Sequence, residues 1–352
     1  MSTPPLSVTP QPSDVQSLKS VNFISGSDST IRRRLFLSRV FAWCCRIATY
    51  SALAALVALL ASIIVNCLGR LNLSFITSVN SVDPAEAGIL AGLWGSFWLI
   101  SLTTLMSVPL GIGSAVYLEE YAKDTWLTRV IKVNLSNLAG VPSIVYGMLG
   151  LTVFVRMFDL FGSSAAKSKA INLLGIVKIP LPLGDIILAG ALTMTLVILP
   201  IIIIASQEAL RAVPSSIRTA SLALGATRWQ TIRHQVLPAA MPGISTGVIL
   251  AVSRAIGDTA PLIMIGALTV ARFCPAGIDS PVKLLTEPQR ILQAPMDQFT
   301  AMPIEIFHWA KQPGDDFSPV AASGIVVLLL VLSVFNGFAV WIRYRTSRGL
   351  KW

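Results

Sequence analysis

Six stretches of this 352-residue chain are long and apolar enough to cross a lipid bilayer as helices, and no other property restricts its fold as much. A bilayer core about 30 Å thick takes about 20 helical residues at about 1.5 Å each, and in hydrocarbon every backbone N–H and C=O must be satisfied within the segment. The runs lie near residues 41–68, 89–118, 130–158, 186–205, 243–270 and 319–342, which predicts an all-α polytopic membrane protein with six transmembrane helices. The first run is too long for a secretory signal core and lacks a small-x-small cleavage pattern, so it reads as a retained span. Only 12% of the residues are charged, against about 25% in a soluble chain. The formal charge of +10 therefore points to a membrane surface rather than to nucleic acid. Two histidines, His234 and His308, and four cysteines without CxxC spacing, Cys44, Cys45, Cys67 and Cys274, argue against imidazole catalysis, a zinc site or a disulfide framework. No metal and no cofactor is expected. The chain also lacks the G-x-x-x-x-G-K-[ST] phosphate cradle, so it does not hydrolyse ATP by that route.

Basic residues mark cytoplasmic sides. Arg32, Arg33, Arg34 and Arg39 precede the first run, and Arg343, Arg345, Arg348 and Lys351 follow the last, so both termini are expected inside. Arg211, Arg218, Arg228 and Arg233 place the loop between the fourth and fifth runs on the same side. Lys167, Lys169 and Lys178 oppose this scheme from the loop 161–185, which leaves a re-entrant segment open there. Residues 1–35 are polar and aperiodic and read as a disordered cytoplasmic tail, followed by a first transmembrane helix over 36–70. The proline-rich segment 272–317, with a short amphipathic stretch over 303–310, reads as an external loop. Trp94 and Trp98 read as interface-belt aromatics, and Glu119, Glu120, Lys123 and Asp124 as a solvated cytoplasmic turn.

The loop 206–240 is too polar to span, yet it is patterned. Ile217, Ala220, Ser221 and Leu224 recur at helical spacing, so a short helix is predicted with these residues on one face. Gly225 suits the left-handed position that ends a helix. Thr227, with Gln230 three residues on, has the form of a capping box that opens a second short helix, which Pro238 and Pro242 are expected to close. Two short helices hinged at a glycine make a knob in which Trp229 can anchor a partner. A plain connecting loop packed under the bundle is the alternative.

This loop resembles the EAA loop of ABC-importer permeases, a pattern of E-A-A, three residues, G, nine residues, I, one residue, L-P. Gly225 and the pair Leu237-Pro238 match in type and spacing, whereas Thr219-Ala220-Ser221 stands for the acidic triplet and Gln235 for the isoleucine. A Glu at 219 is expected to close a capping box with Ser216 that Thr219 closes poorly. Three more stretches narrow the resemblance to phosphate permeases of the PstA type: Leu138-Ala-Gly-Val-Pro-Ser-Ile-Val-Tyr-Gly147, Ser253-Arg-Ala-Ile-Gly-Asp-Thr-Ala-Pro261, and Met302-Pro-Ile-Glu-Ile-Phe-His-Trp309. The likeness covers residues 88–345 and implies a type I, MetI-like bundle in a bacterial inner membrane. It also implies a homologous permease of the PstC type, an ATPase dimer of the PstB type that docks on the loop, and a phosphate-binding protein of the PstS type.

Arg254 and Asp258 are four residues apart in the fifth run and are expected on one helical face. Charges at that depth cost about 2.5–3.5 kcal/mol without a partner or a wet path. The pair either neutralises itself as a structural link or presents the Arg254 fork to phosphate, with Asp258 orienting it. In the third run, Pro142 bends the helix and Ser143 and Tyr146 offer hydroxyls to phosphate or serve packing alone. Rival functions are a permease for sulfate, molybdate or an amino acid, a secondary transporter, and a membrane enzyme. The chain shows no inverted repeat for the second and no cluster of acids and histidines for the third.

Overall fold

The protein is described by a computed structural model covering residues 28–156, 171–173, 177–179, 185–277, 283, 290 and 293–347. By internal contacts the chain forms two units, Met1–Ser62 and Ile63–Trp352. The described part of the first is helix, belonging to α1 (Asp28–Cys67), so the polar tail read over 1–35 is helical from Asp28 onward. Residues 1–27 lie outside the described residues. Arginine is among the better helix formers, and the cluster at 32–34 continues the apolar helix toward its N-terminus.

The second unit contains α2 (Leu73–Thr77), α3 (Leu90–Val116, continued by a π-turn Tyr117–Tyr121), α4 (Trp126–Leu138) and α5 (Ser143–Gly150, continued by a π-turn Leu151–Arg156). A short antiparallel hairpin follows, β1 (Ile171–Leu173) against β2 (Val177–Ile179), with Ile171 opposite Ile179. The rest of 161–184, Lys167 and Lys169 included, lies outside the described residues. Then come α6 (Ile187–Arg211), α7 (Ser215–Ala223), α8 (Arg228–Thr231), a π-turn (Ile232–Val236), α9 (Leu237–Gly257), α10 (Ala260–Ile265), α11 (Met302–Ala310) and α12 (Ser318–Ser347).

Among the described residues, five helical stretches are long and apolar enough to span: Ile31–Cys67, Leu90–Tyr121, Ile187–Arg211, Arg228–Gly257 and Ser318–Arg345. The third apolar run is different, a pair of helices bent by 107° between Leu138 and Ser143. Pro142 has no amide hydrogen and disfavours helical backbone at Val141, which breaks the helix rather than merely curving it. The fifth span also differs from expectation. It starts at Arg228, fifteen residues before the apolar run, and ends at Gly257, so Pro238 and Pro242 do not close the coupling segment. Pro238 falls in the first turn of α9, where its missing donor costs little, and the preceding π-turn spaces the backbone around it.

α6 is the central post: 67% of its apolar window is buried, against 6% for α12. Ile187, Met194, Ile198 and Ile202 of α6 pack with Trp94, Trp98 and Leu99 of α3 and with Ala251, Val252 and Ala255 of α9. Trp94 and Trp98 are therefore core residues rather than belt aromatics, because their i, i+4 spacing turns both rings inward while Phe97 stays exposed. Against α6, α9 presents two glycines one turn apart. A Cβ on Gly243 would lie 2.7 Å from Ala209 Cβ, and one on Gly247 2.3 Å from Ala205 Cβ. In lipid, helices associate through such close small-residue contact. Gly247→Val should destabilise the bundle by about 1–3 kcal/mol through overpacking. Gly337→Val, at a position with no atom within 4 Å of an added Cβ, should leave the thermal midpoint in detergent unchanged. Equal midpoints for both variants would refute the seam.

Candidate functional site: a junction of broken helices and a coupling hairpin

Two helix breaks meet in the bundle. α9 ends at Gly257, Asp258 is extended (φ −90°, ψ 103°), and α10 resumes two residues later with Pro261 in its first turn. Ser143, the first residue of α5 after the Pro142 break, donates its Oγ hydrogen to Asp258 Oδ1 at 3.0 Å. One turn on, a Cβ added to Gly147 would stand 2.7 Å from Pro261 Cα, so α5 and α10 approach backbone to backbone. Tyr146 is buried and donates to the Leu138 carbonyl at 2.9 Å, an acceptor that the break removes from the helical ladder. Irregular backbone at membrane depth persists only where protein or a cavity satisfies it, and Tyr146 does that for the Leu138 carbonyl, while Ser143 satisfies the Asp258 carboxylate.

The structure thus joins Ser143 with Asp258 and sets Tyr146 across the break, but it does not join Arg254 with Asp258. The i, i+4 relation requires continuous helix, and the helix stops between the two residues. Arg254 is exposed in the last turn of α9, where a cation suits the helix dipole, and it makes no ion pair among the described residues. Its neighbour Ser253 hydrogen-bonds the Ile249 carbonyl at 2.7 Å and the Asn336 side chain of α12. Asn336 was not among the residues singled out above; a lone amide inside the sixth apolar run is the signal that marks it.

The hairpin of α7 and α8 follows its local sequence closely. Gly225 has φ +84°. The Thr227 hydroxyl accepts from the Gln230 amide at 3.3 Å, and Gln230 Oε1 accepts from the Thr227 amide at 2.8 Å, completing the capping box. Ser221 and Thr231 hydroxyls join the two helices at 2.9 Å. Ile217 and Ser221 are half-buried, whereas Thr219, Ala220, Leu224 and Trp229 are exposed, so the small-residue face is split between bundle and solvent. Leu237 and Pro238 are half-buried at the root of α9 rather than on the exposed knob. The N-cap of α7 is Pro214, which has no amide hydrogen, so the box expected from Ser216 to position 219 has no place in this geometry. Thr219 instead bonds the Ser216 carbonyl at 3.0 Å.

Glu119 and Glu120 are not a solvated turn. Glu119 accepts from Arg211 at 2.7 and 3.0 Å and from Lys132 at 3.2 Å. Glu120 takes the Arg218 guanidinium at 2.7 and 3.1 Å, while the same Arg218 donates to the Val213 and Leu210 carbonyls at 2.8 Å each. The π-turn at 117–121 presents both acids to the root of the hairpin, and the fork geometry of arginine fixes α7 against the ends of α3 and α6. Two adjacent acids at the end of an apolar run, facing Arg211 and Arg218 of a later loop, are the sequence signal for this clamp.

At the opposite end, α11 docks on α3. The Met302 amide donates to Ser96 Oγ at 2.9 Å, and Trp309 Nε1 donates to Asn80 Oδ1 at 3.1 Å. Glu305 is fully buried beside Gly92, and neither carboxyl oxygen has a hydrogen-bond partner of good geometry among the described residues. Burial pushes its pKa well above the ordinary 4.5, and the Gly92 amide offsets this only in part. Because the folded pKa is raised, stability is complete below the ordinary value and falls as pH rises from there toward the folded value. Glu305→Gln should remove that slope, so that the variant gains on the natural protein as pH rises. Thermal midpoints in detergent at pH 5 and pH 8 check this; equal slopes for both proteins would contradict it.

The model of the binding-protein-dependent transport system inner membrane component family matches residues 107–348. Similar proteins include a probable ABC transporter permease protein, YqgI of Bacillus subtilis (strain 168), 32% identical over 295 residues, covering 82% of this chain and 89% of the relative. The phosphate transport system permease protein PstA of Yersinia pestis is 28% identical over 254 residues, 72% of each chain. PstA 1 of Mycobacterium tuberculosis (strain CDC 1551 / Oshkosh) is 34% identical over 190 residues, 53% of this chain and 55% of the relative. The chain belongs to the family of binding-protein-dependent transport system inner membrane components, the permease subunits of ABC importers, which are not themselves enzymes.

Proposed function

We propose that this subunit forms half of the translocation pathway of an ATP-driven phosphate importer, with both termini cytoplasmic. The observation that carries the reading is Arg254, an arginine without an ion pair among the described residues, one turn before a helix break. Discontinuous helices are the places where membrane transporters present backbone and side-chain polarity to their substrates. The Arg254 fork matches phosphate oxygens in a bidentate way, and its exposure leaves it free to meet a sister permease of the PstC type across the pathway. Asp258 does not orient Arg254 directly; it ties α10 to α5 through Ser143, so that the two breaks move as one. Tyr146 contributes by holding the break rather than by donating to substrate, because its hydrogen is committed to Leu138.

On the cytoplasmic side, Thr219, Ala220, Leu224 and Trp229 form the face that a PstB-type ATPase dimer grips. The Glu119–Arg211 and Glu120–Arg218 links pass its motion to α3 and α6. A PstS-type binding protein delivers phosphate at the far end. The relatives named PstA support phosphate as the cargo. Competition in reconstituted proteoliposomes tests this: arsenate, with the same shape and charge as phosphate, should suppress uptake of labelled phosphate, and sulfate and molybdate should not. The reverse ranking would make the subunit a permease for another oxyanion.

A further inference from the structure

A cavity of about 900 Å³ opens at the end of the bundle opposite the coupling hairpin, between the residues around α2 and the loop that follows α10. It shares no lining residue with the Arg254 junction. Two arginines, Arg70 and Arg272, line it together with the hydroxyls of Ser74 and Ser78, and a single carboxylate, Glu86, stands against them. None of these three charged groups forms an ion pair among the described residues. Arg70 is fixed in place by a hydrogen bond to the Pro84 carbonyl, yet its buried Nε–H has no acceptor among the described residues. Asn80 also lines the cavity and is 2% exposed. Trp309 Nε1 is a donor only, so the Asn80 atom that faces it must be the oxygen. That leaves the amide Nδ2 turned away and, like Arg70 Nε, without a partner among the described residues. The wall thus sets two cations and two unmet buried donors against one carboxylate, with hydroxyls that can also donate, which leaves it positively charged and with hydrogen to spare.

We propose that this cavity is an oxyanion-binding vestibule, a second anion site upstream of Arg254. Arg272 and the hydroxyls would contact the ion directly, with Arg70 and Asn80 supplying donors from just behind the wall. The substrate class is a tetrahedral oxyanion, and inorganic phosphate is the probe. The identity of the ion rests on the importer reading, whereas the existence of an anion site does not.

Equilibrium binding of labelled phosphate tests it, using the assembled permease and ATPase complex without binding protein and without ATP. The Arg254→Gln background silences the pathway position. Saturable binding should persist on that background, weaken about tenfold or more when Arg272→Gln is added, and recover in part with Arg272→Lys. Arg272 is exposed, so its replacement leaves packing unaffected. The same chemistry can come from a lipid phosphate headgroup. Binding lost in discs rich in anionic lipid, but present in zwitterionic discs, would support the site with lipid as its occupant. Saturable sulfate binding with the same Arg272 dependence and no phosphate binding would support the vestibule while sinking the phosphate reading. Absence of saturable binding of either ion on the Arg254→Gln background, or affinities within twofold after Arg272→Gln, would overturn the proposal.

Discussion

Arg254→Gln is expected to slow phosphate uptake at least about tenfold while the complex still assembles. The side chain is exposed and makes no ion pair among the described residues, so its removal leaves no buried charge behind and the fold should tolerate it. A charge-assisted hydrogen bond contributes about 1.5–3 kcal/mol, so losing one slows transport about tenfold to a hundredfold, and losing a bidentate pair slows it further. Arg254→Lys keeps the charge without the fork and should fall between. Labelled-phosphate uptake in proteoliposomes, normalised to complex recovered by size exclusion, is the measurement. Wild-type uptake by the Gln variant would remove Arg254 from the pathway.

The second large effect is expected at the hairpin. Gly225 has φ +84° and nothing within 4 Å of an added Cβ, so a substitution there acts only through the backbone. Left-handed backbone costs about 1–2 kcal/mol for an ordinary residue and more for a β-branched one, so Gly225→Val should rebuild the turn between α7 and α8. The turn sets Leu224 and Trp229 relative to each other, and the ATPase should no longer co-purify. Gly225→Asn, which tolerates the conformation, should retain it. An ATPase stoichiometry unchanged in the Val variant would place docking elsewhere.

The parts of this protein that were legible in its sequence are those with local causes. Apolar length set the spans, and Gly225, Thr227 and Gln230 specified their turn and cap because each signal acts within a few residues. The Pro142 break was legible as a bend but not as 107°, since the angle depends on what α5 packs against. The break at Asp258 was overlooked because Arg254 and Asp258 have helical spacing; its local signal is Pro261, which cannot donate to the Gly257 carbonyl, and Ser143 then holds the Asp258 carboxylate. The Glu119 and Glu120 clamp joins residues 92 and 98 positions apart, and no pattern within one loop reveals it. Trp94 and Trp98 illustrate the same limit, since an indole suits either a core or an interface until the neighbouring helix is known.

ATP-driven accumulation of labelled phosphate by the reconstituted complex, measured with and without internal ATP, tests the transport reading most directly. Uptake against a gradient that requires ATP and falls at least about tenfold with Arg254→Gln is the expected result. Accumulation of sulfate or molybdate in place of phosphate, or phosphate uptake that proceeds equally without ATP, would contradict it.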